Sequence, residues 1–172
     1  MQKSEGSLAV DAVAALEELD LGAVGEAELV AYRLHEQSIT HRVDAAAAPK
    51  SFHGDETRIR QILYNLLSNA ANYAPEASTV TLACRQLADG VEFSVHDDGP
   101  GMPPDVLDSV FRRFEPRTNG GRRRGAGLGL SIVKSFVELH GGSVRIETGK
   151  DQGTTVICTF PAAPSGIRAA AE

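Results

Sequence analysis

The chain has 172 residues, is 42% hydrophobic and carries a formal net charge of -6. That length favours one domain around a single core. The negative balance argues against a general nucleic-acid binder, which needs a basic face against phosphate, but leaves nucleotide binding open, because a local positive patch suffices there.

Residues 1–7 are polar and lack the apolar core of a signal peptide, and no stretch approaches the length of a membrane span. The expectation is a cytoplasmic fragment without membrane contact of its own, whose parent is free to be membrane-anchored. The two cysteines, Cys84 and Cys158, stand far apart in strand-like runs and read as small buried side chains rather than a zinc or redox pair.

In chain order, residues 8–19 are apolar at helical spacing, and a second helix is expected over 26–37 with Leu29, Val30 and Leu34 inward. Residues 39–43 read as a strand, 45–50 as a loop, and His53-Gly54-Asp55 as a turn with Asp55 as N-cap. The most regular helix is expected over 55–72, where Ile59, Ile62, Leu63, Leu66, Leu67 and Ala70 recur at three and four residues. Two strands, 78–88 and 91–97, follow around an Asp89-Gly90 turn. Then come a Gly/Pro loop at 98–104, a short helix at 105–110, a basic loop at 112–124 and a helix at 128–140 ending on Gly141-Gly142. Strands at 143–148 and 154–160 close the domain, and 161–172 reads as a frayed tail. Because several strands are joined directly, the expected fold is a two-layer α/β sandwich with helices on one face of a mixed, largely antiparallel sheet.

Three segments carry candidate chemistry. Asn65 and Asn69 share one helix face, although asparagine is a mediocre helix former. They read either as a polar edge or as amide oxygens for a hard cation such as Mg²⁺, which keeps waters and shares substrate phosphates. Asp97-Asp98-Gly99-Pro100-Gly101-Met102 follows a strand, as a plain turn or as a carboxylate placed for an exocyclic amine beside a backbone that a flat ring can approach. Gly125-Ala126-Gly127-Leu128-Gly129 opens a helix whose free N–H groups suit phosphate, without the spacing of a dinucleotide fold or a P-loop. Between the last two lie Arg112, Arg113, Arg117, Arg122, Arg123 and Arg124 against Glu115 alone, a local reversal of charge that reads as a solvated surface or as a lid meeting phosphate.

In this order the segments resemble the ATPase domain of histidine kinases, within the superfamily that includes gyrase, Hsp90 and MutL. Residues 65–70 (NLLSNA) look like the N box, 97–102 (DDGPGM) like the first glycine box and 110–114 (VFRRF) like the F box. Residues 125–133 (GAGLGLSIV) look like the second glycine box, and 153–155 (GTT) like a weaker last one. The resemblance covers roughly 27–161 and implies a Bergerat fold with a mobile ATP lid. It implies that Asn69 ligates Mg²⁺ with Asn65 in support, that Asp97 takes the adenine amine, and that Gly99 and Gly101 shape the adenine pocket. By the same resemblance Tyr73 packs on the base, Thr154 joins the adenine network, and Gly125, Gly127, Leu128 and Gly129 line the triphosphate. Arg113, Arg122, Arg123 and Arg124 are the implied lid contacts to phosphate.

Two positions depart or discriminate. Asn72 stands where the family often has Lys or Arg against phosphate. Losing that charge-assisted bond costs about 1.5–3 kcal/mol, roughly tenfold or more in affinity. The lid arginines are expected to offset part of it. Asn65 stands where ATP-hydrolysing members and anti-sigma serine kinases carry Glu, and an amide cannot serve as a general base. The implied function is therefore the Mg-ATP-binding catalytic domain of a two-component sensor histidine kinase. Its γ-phosphoryl group goes to a histidine on a dimerisation domain outside this chain and thence to a response regulator. A degenerate, ATP-weak scaffold, favoured by Asn72, and a serine-kinase or ATPase member are the alternatives. His35-Glu36 is a His–acid pair, but the proline of the family's phosphorylated motif is absent. Residues 1–26 are expected to be the end of a dimerisation helix, 27–161 the domain, 162–172 a disordered tail, and the fragment a monomer without its acceptor.

Overall fold

The computed structural model describes residues 8–10, 26–111 and 129–162. The sheet has five strands: β2 (Thr40–Ala47), β4 (Thr79–Leu87), β5 (Gly90–Asp97), β6 (Ser143–Thr148) and β7 (Thr154–Pro161), in the order β2-β4-β5-β7-β6. The β2–β4 pairing is parallel and the other pairings are antiparallel, the mixed sheet the element order implies. Among the described residues four helices accompany it: α1 (Glu26–Glu36), α2 (Glu56–Tyr73), the short α3 (Pro104–Ser109) and α4 (Gly129–Leu139). No helix among the described residues is long and apolar enough to cross a membrane.

Alternation along the strands sets the layers. Val80, Leu82 and Cys84 of β4, Val91, Phe93 and Val95 of β5, and Val156, Cys158 and Phe160 of β7 are buried on one face. Against them lies the α2 stripe of Ile59, Ile62, Leu63, Leu66, Leu67, Ala70 and Ala71, with Val133 and Val137 of α4 and Val30 and Leu34 of α1. Each fully buried aliphatic side chain contributes about 1.5–3 kcal/mol by leaving water. The other face is polar. There Glu92, itself buried, accepts from Arg85 Nε at 2.7 Å and from Arg145 Nη1 at 3.3 Å. Cys84 and Cys158 are free buried thiols, both pushed up to about 12 by desolvation, which keeps them inert.

Helix ends follow local chemistry. Asp55 caps α2 by accepting from Arg58 N–H at 3.1 Å, and the helix stops at Ala74, whose extended backbone suits the residue before a proline. At the end of α4, Gly142 N–H reaches Val137 O at 3.0 Å and Gly141 N–H reaches Glu138 O at 2.9 Å, with Gly141 at φ 72°, a Schellman stop. His140 ties the two helices together: Nδ1–H donates to Phe136 O at 2.7 Å, and Nε2 accepts from Asp55 N–H at 3.1 Å. Its ring also stands edge-on to Phe160, centroids 5.7 Å apart. His140→Ala orphans a half-buried backbone donor and is expected to cost about 1–3 kcal/mol, read as a lower urea midpoint.

Several expectations are corrected. Leu8–Val10 is not the start of a helix but a strand, β1, antiparallel to β3 (Phe52–Gly54), so His53 and Gly54 of the expected 53–55 turn are strand, and Asp55 caps the helix that follows. Tertiary pairing overrides the local spacing there; residues 11–19 lie outside the described residues. The strand expected at 39–43 continues through Ala45 to Ala47, drawn out by its parallel pairing with β4. The hairpin turn is Ala88-Asp89, and Gly90 already pairs with Leu87 and Pro161. A Cβ at Gly90 would stand 1.9 Å from Phe160 O, so close strand approach rather than the turn requires that glycine.

Candidate functional site

Asp97 ends the central strand β5, between Val80 of β4 and Thr154 of β7. It is 6% exposed, and its Oδ1 accepts from Gly99 N–H at 2.9 Å. Oδ2 is left without a hydrogen bond among the described residues. Desolvation raises its pKa, with Asp98 pushing the same way, while the Gly99 N–H and His96 pull against it. His96 lies alongside, its Nδ1 2.9 Å from Thr155 Oγ1 and its Nε2 3.3 Å from Asp98 Oδ1.

The loop after Asp97 passes close to its neighbours at residues 99 and 101, where only glycine leaves room. A Cβ on Gly99 would lie 2.4 Å from Asp97 Oδ1 and 2.9 Å from Tyr73 O, so Gly99 is wedged between the carboxylate and the last turn of α2. Gly101, at φ +80°, would put a Cβ 2.0 Å from Gly149 O, which locks the loop to the β6–β7 turn. Thr148 Oγ1 accepts from Met102 N–H at 2.9 Å and lies 3.1 Å from Thr154 Oγ1 and 3.0 Å from Gly153 O. Thr154 itself is 6% exposed. Gly101→Ala costs about 1–3 kcal/mol from backbone conformation alone. It is expected to lower the thermal midpoint and any nucleotide affinity together, seen by melting the variant with and without ATP.

The other end lies along α2. Asn65 and Asn69 are half-buried, and Asn65 Nδ2 is sealed from solvent with no partner among the described residues. A Cβ on Gly129 would come within 3.9 Å of Asn65 Oδ1, so the first turn of α4 starts beside Asn65, at the helix end that favours anions. Tyr73, 46% exposed, and Gly99 mark the opposite end of the same helix. The rise from residue 65 to 73 is roughly 12 Å at 1.5 Å per residue. Asn72 is half-buried, and its Oδ1 accepts from Arg33 Nη1 at 2.5 Å.

Thus Asp97, Gly99, Gly101, Tyr73 and Thr154 gather around one end of α2, and Asn65, Asn69 and Gly129 follow it to the other. Arg113, Arg122, Arg123, Arg124, Gly125, Gly127 and Leu128 lie outside the described residues, and with them the expected lid. Sequence reasoning missed Thr148 and Gly149; their signal is the glycine-bracketed hairpin turn between two strand patterns. The donor set fits a hard cation held partly by substrate: amide oxygens on α2 and no group of three His, Cys, Asp or Glu among the described residues.

The family model described as histidine kinase-, DNA gyrase B-, and HSP90-like ATPase matches residues 54–164. The circadian input-output histidine kinase CikA of Synechococcus elongatus is 38% identical over 125 residues, covering 72% of this chain and 16% of that protein. A solved structure of the mycobacterial sensor histidine kinase MprB matches with a TM-score of 0.70 and 28% identity, over 92% of this chain and 99% of that one. Full-length ShkA in complex with AMPPNP gives 0.74 and 32% identity, over 99% of this chain and 34% of that one. This chain spans less than a third of the length of the curated relatives CikA and MprB. On the family match and the fold together, the chain belongs to the histidine kinase-, DNA gyrase B- and HSP90-like ATPase family, as an ATPase domain of the histidine-kinase type.

Proposed function

We propose that this domain binds Mg-ATP and donates its γ-phosphoryl group to a histidine on a dimerisation domain. The observation that carries the reading is the pairing of a desolvated carboxylate, Asp97, with an amide-lined helix face whose far end meets a helix N-terminus. In this reading Asp97 Oδ2 accepts from the adenine amine, Tyr73 covers the base, and Gly99 and Gly101 let the ring approach the backbone. Thr154, with Thr148, holds the floor. Asn69 gives an oxygen to Mg²⁺, Asn65 supports it, and Gly125, Gly127, Leu128 and Gly129 line the phosphates. Arg113, Arg122, Arg123 and Arg124 close over them. Mg²⁺ would supply charge neutralisation on the phosphate oxygens.

The acceptor imidazole nitrogen attacks Pγ, the bond from Pγ to the bridging oxygen breaks, and that oxygen leaves with its electron pair on ADP. The domain contributes position and charge. Asn65, being an amide, has no means of taking a proton from water, so ATP is held rather than hydrolysed. The partners are then the kinase's own dimerisation hairpin and a response regulator acting through it, on the cytoplasmic side, with no nucleic acid. The complex of ShkA with AMPPNP, an ATP analogue, supports the nucleotide class.

Supplying a dimerisation hairpin in trans with labelled Mg-ATP tests the transfer. Acid-labile, base-stable phosphate on the hairpin histidine is the expected product. ATP binding without any such label would favour the second reading, a signalling scaffold of the same fold, to which the neutral Asn72 points.

A further inference from the structure

α1 lies along α2, and one of its side chains reaches the amide face. Arg33 Nη1 donates to Asn72 Oδ1 at 2.5 Å, part-buried, across 39 positions of sequence. Asn72 shares that face with Asn65 and Asn69, because residues three and four apart stack along a helix. The guanidinium is unmatched in charge. Among the described residues no carboxylate pairs with it. Glu36, on the next turn of α1, instead accepts from the Tyr32 hydroxyl at 2.6 Å. The carbonyl end of α1 favours a cation, since Arg33 sits in the last turn, but it offers only a partial charge. One of five N–H donors is used by a neutral amide, and a half-buried guanidinium without a counter-ion is costly unless an anion arrives.

We propose that Arg33 is a phosphate-binding residue of the nucleotide site: Asn72 orients the guanidinium along the amide face, and its remaining donors pair with oxygens of the triphosphate. The inference rests on the ATP reading above and deepens it. Guanidinium recognises phosphate oxygens through two parallel donors, which a single orienting bond from Asn72 leaves free.

The test uses the whole chain and three probes, ATP, ADP and adenosine, titrated against the wild type, Arg33→Gln and Arg33→Lys. Arg33→Gln is expected to weaken ATP about tenfold or more and ADP measurably, with adenosine unchanged, and Arg33→Lys to recover part of the ATP affinity. Raising salt should narrow the gap between wild type and Arg33→Gln. Equal losses for ATP and adenosine would reduce Arg33 to a prop between α1 and α2 and overturn the proposal, as would an unchanged ATP affinity. A wild-type chain that binds adenosine but gains nothing from the phosphates also overturns it, while leaving the adenine end intact. No binding of any probe removes the ATP reading itself, and this inference with it.

Discussion

Asp97→Asn is expected to abolish micromolar ATP binding while leaving the domain at least as stable at neutral pH. The carboxylate is nearly sealed from water, and desolvation raises its pKa. A carboxyl group whose folded pKa lies above its unfolded value favours folding only while protonated. Stability falls as pH rises from the unfolded value through the folded one, and the penalty persists above that window. Asparagine carries no charge and escapes it. Its Oδ1 can still accept from Gly99 N–H, but its NH₂ then occupies the place of Oδ2, donor against the adenine amine. Losing a charge-assisted bond costs about 1.5–3 kcal/mol, and leaving donors unpaired about 1–3 more. The affinity loss is therefore on the order of 100-fold or greater. Calorimetric titration and a thermal melt of the same sample separate the two effects. The same raised pKa makes wild-type affinity for adenosine, which has no titrating phosphate, fall with acidification from a pH above the ordinary carboxylate range. The asparagine variant should show no such slope.

Asn69→Ala is expected to remove the gain in ATP affinity that Mg²⁺ confers and to slow phosphoryl transfer by on the order of 100-fold, the usual scale for one positioned electrostatic contact. Fold stability should hold or rise, because alanine is the better residue in a helix interior by up to about 0.7 kcal/mol. That contrast is what makes the amide face informative. Asn65, Asn69 and Asn72 each weaken α2 where a better helix former would fit, and Asn65 Nδ2 goes unpartnered among the described residues. A variant that binds ATP with an undiminished Mg²⁺ effect would show that Asn69 only forms the helix's polar edge.

Much of this was legible in the sequence, for local reasons. The α2 stripe and its Asp55 cap depend on residues a turn apart, and the structure has them as expected. Asn65, Asn69, Asp97 and the glycines stand out because their residue types conflict with the elements carrying them, and their order along the chain supplied the family. What escaped depends on residues far apart. Leu8–Val10 becomes a strand only because Phe52–Gly54 is there to pair with it, and Ala45–Ala47 extends only along β4. Gly90 reads as a turn residue until β7 crosses beside it. His140 meets Asp55 across 85 positions, and Asn72, which reads as a missing charge, meets Arg33 across 39. Nothing in the spacing along one segment encodes such pairings.

The central claim is that the carboxylate of Asp97 and the amide of Asn69 address the two ends of a single nucleotide. Calorimetric titration of the chain with ATP, in the presence of Mg²⁺ and again in EDTA, tests it most directly. One site of micromolar affinity, clearly weaker without the metal, is the expected outcome. A flat titration up to millimolar ATP in both buffers would contradict it.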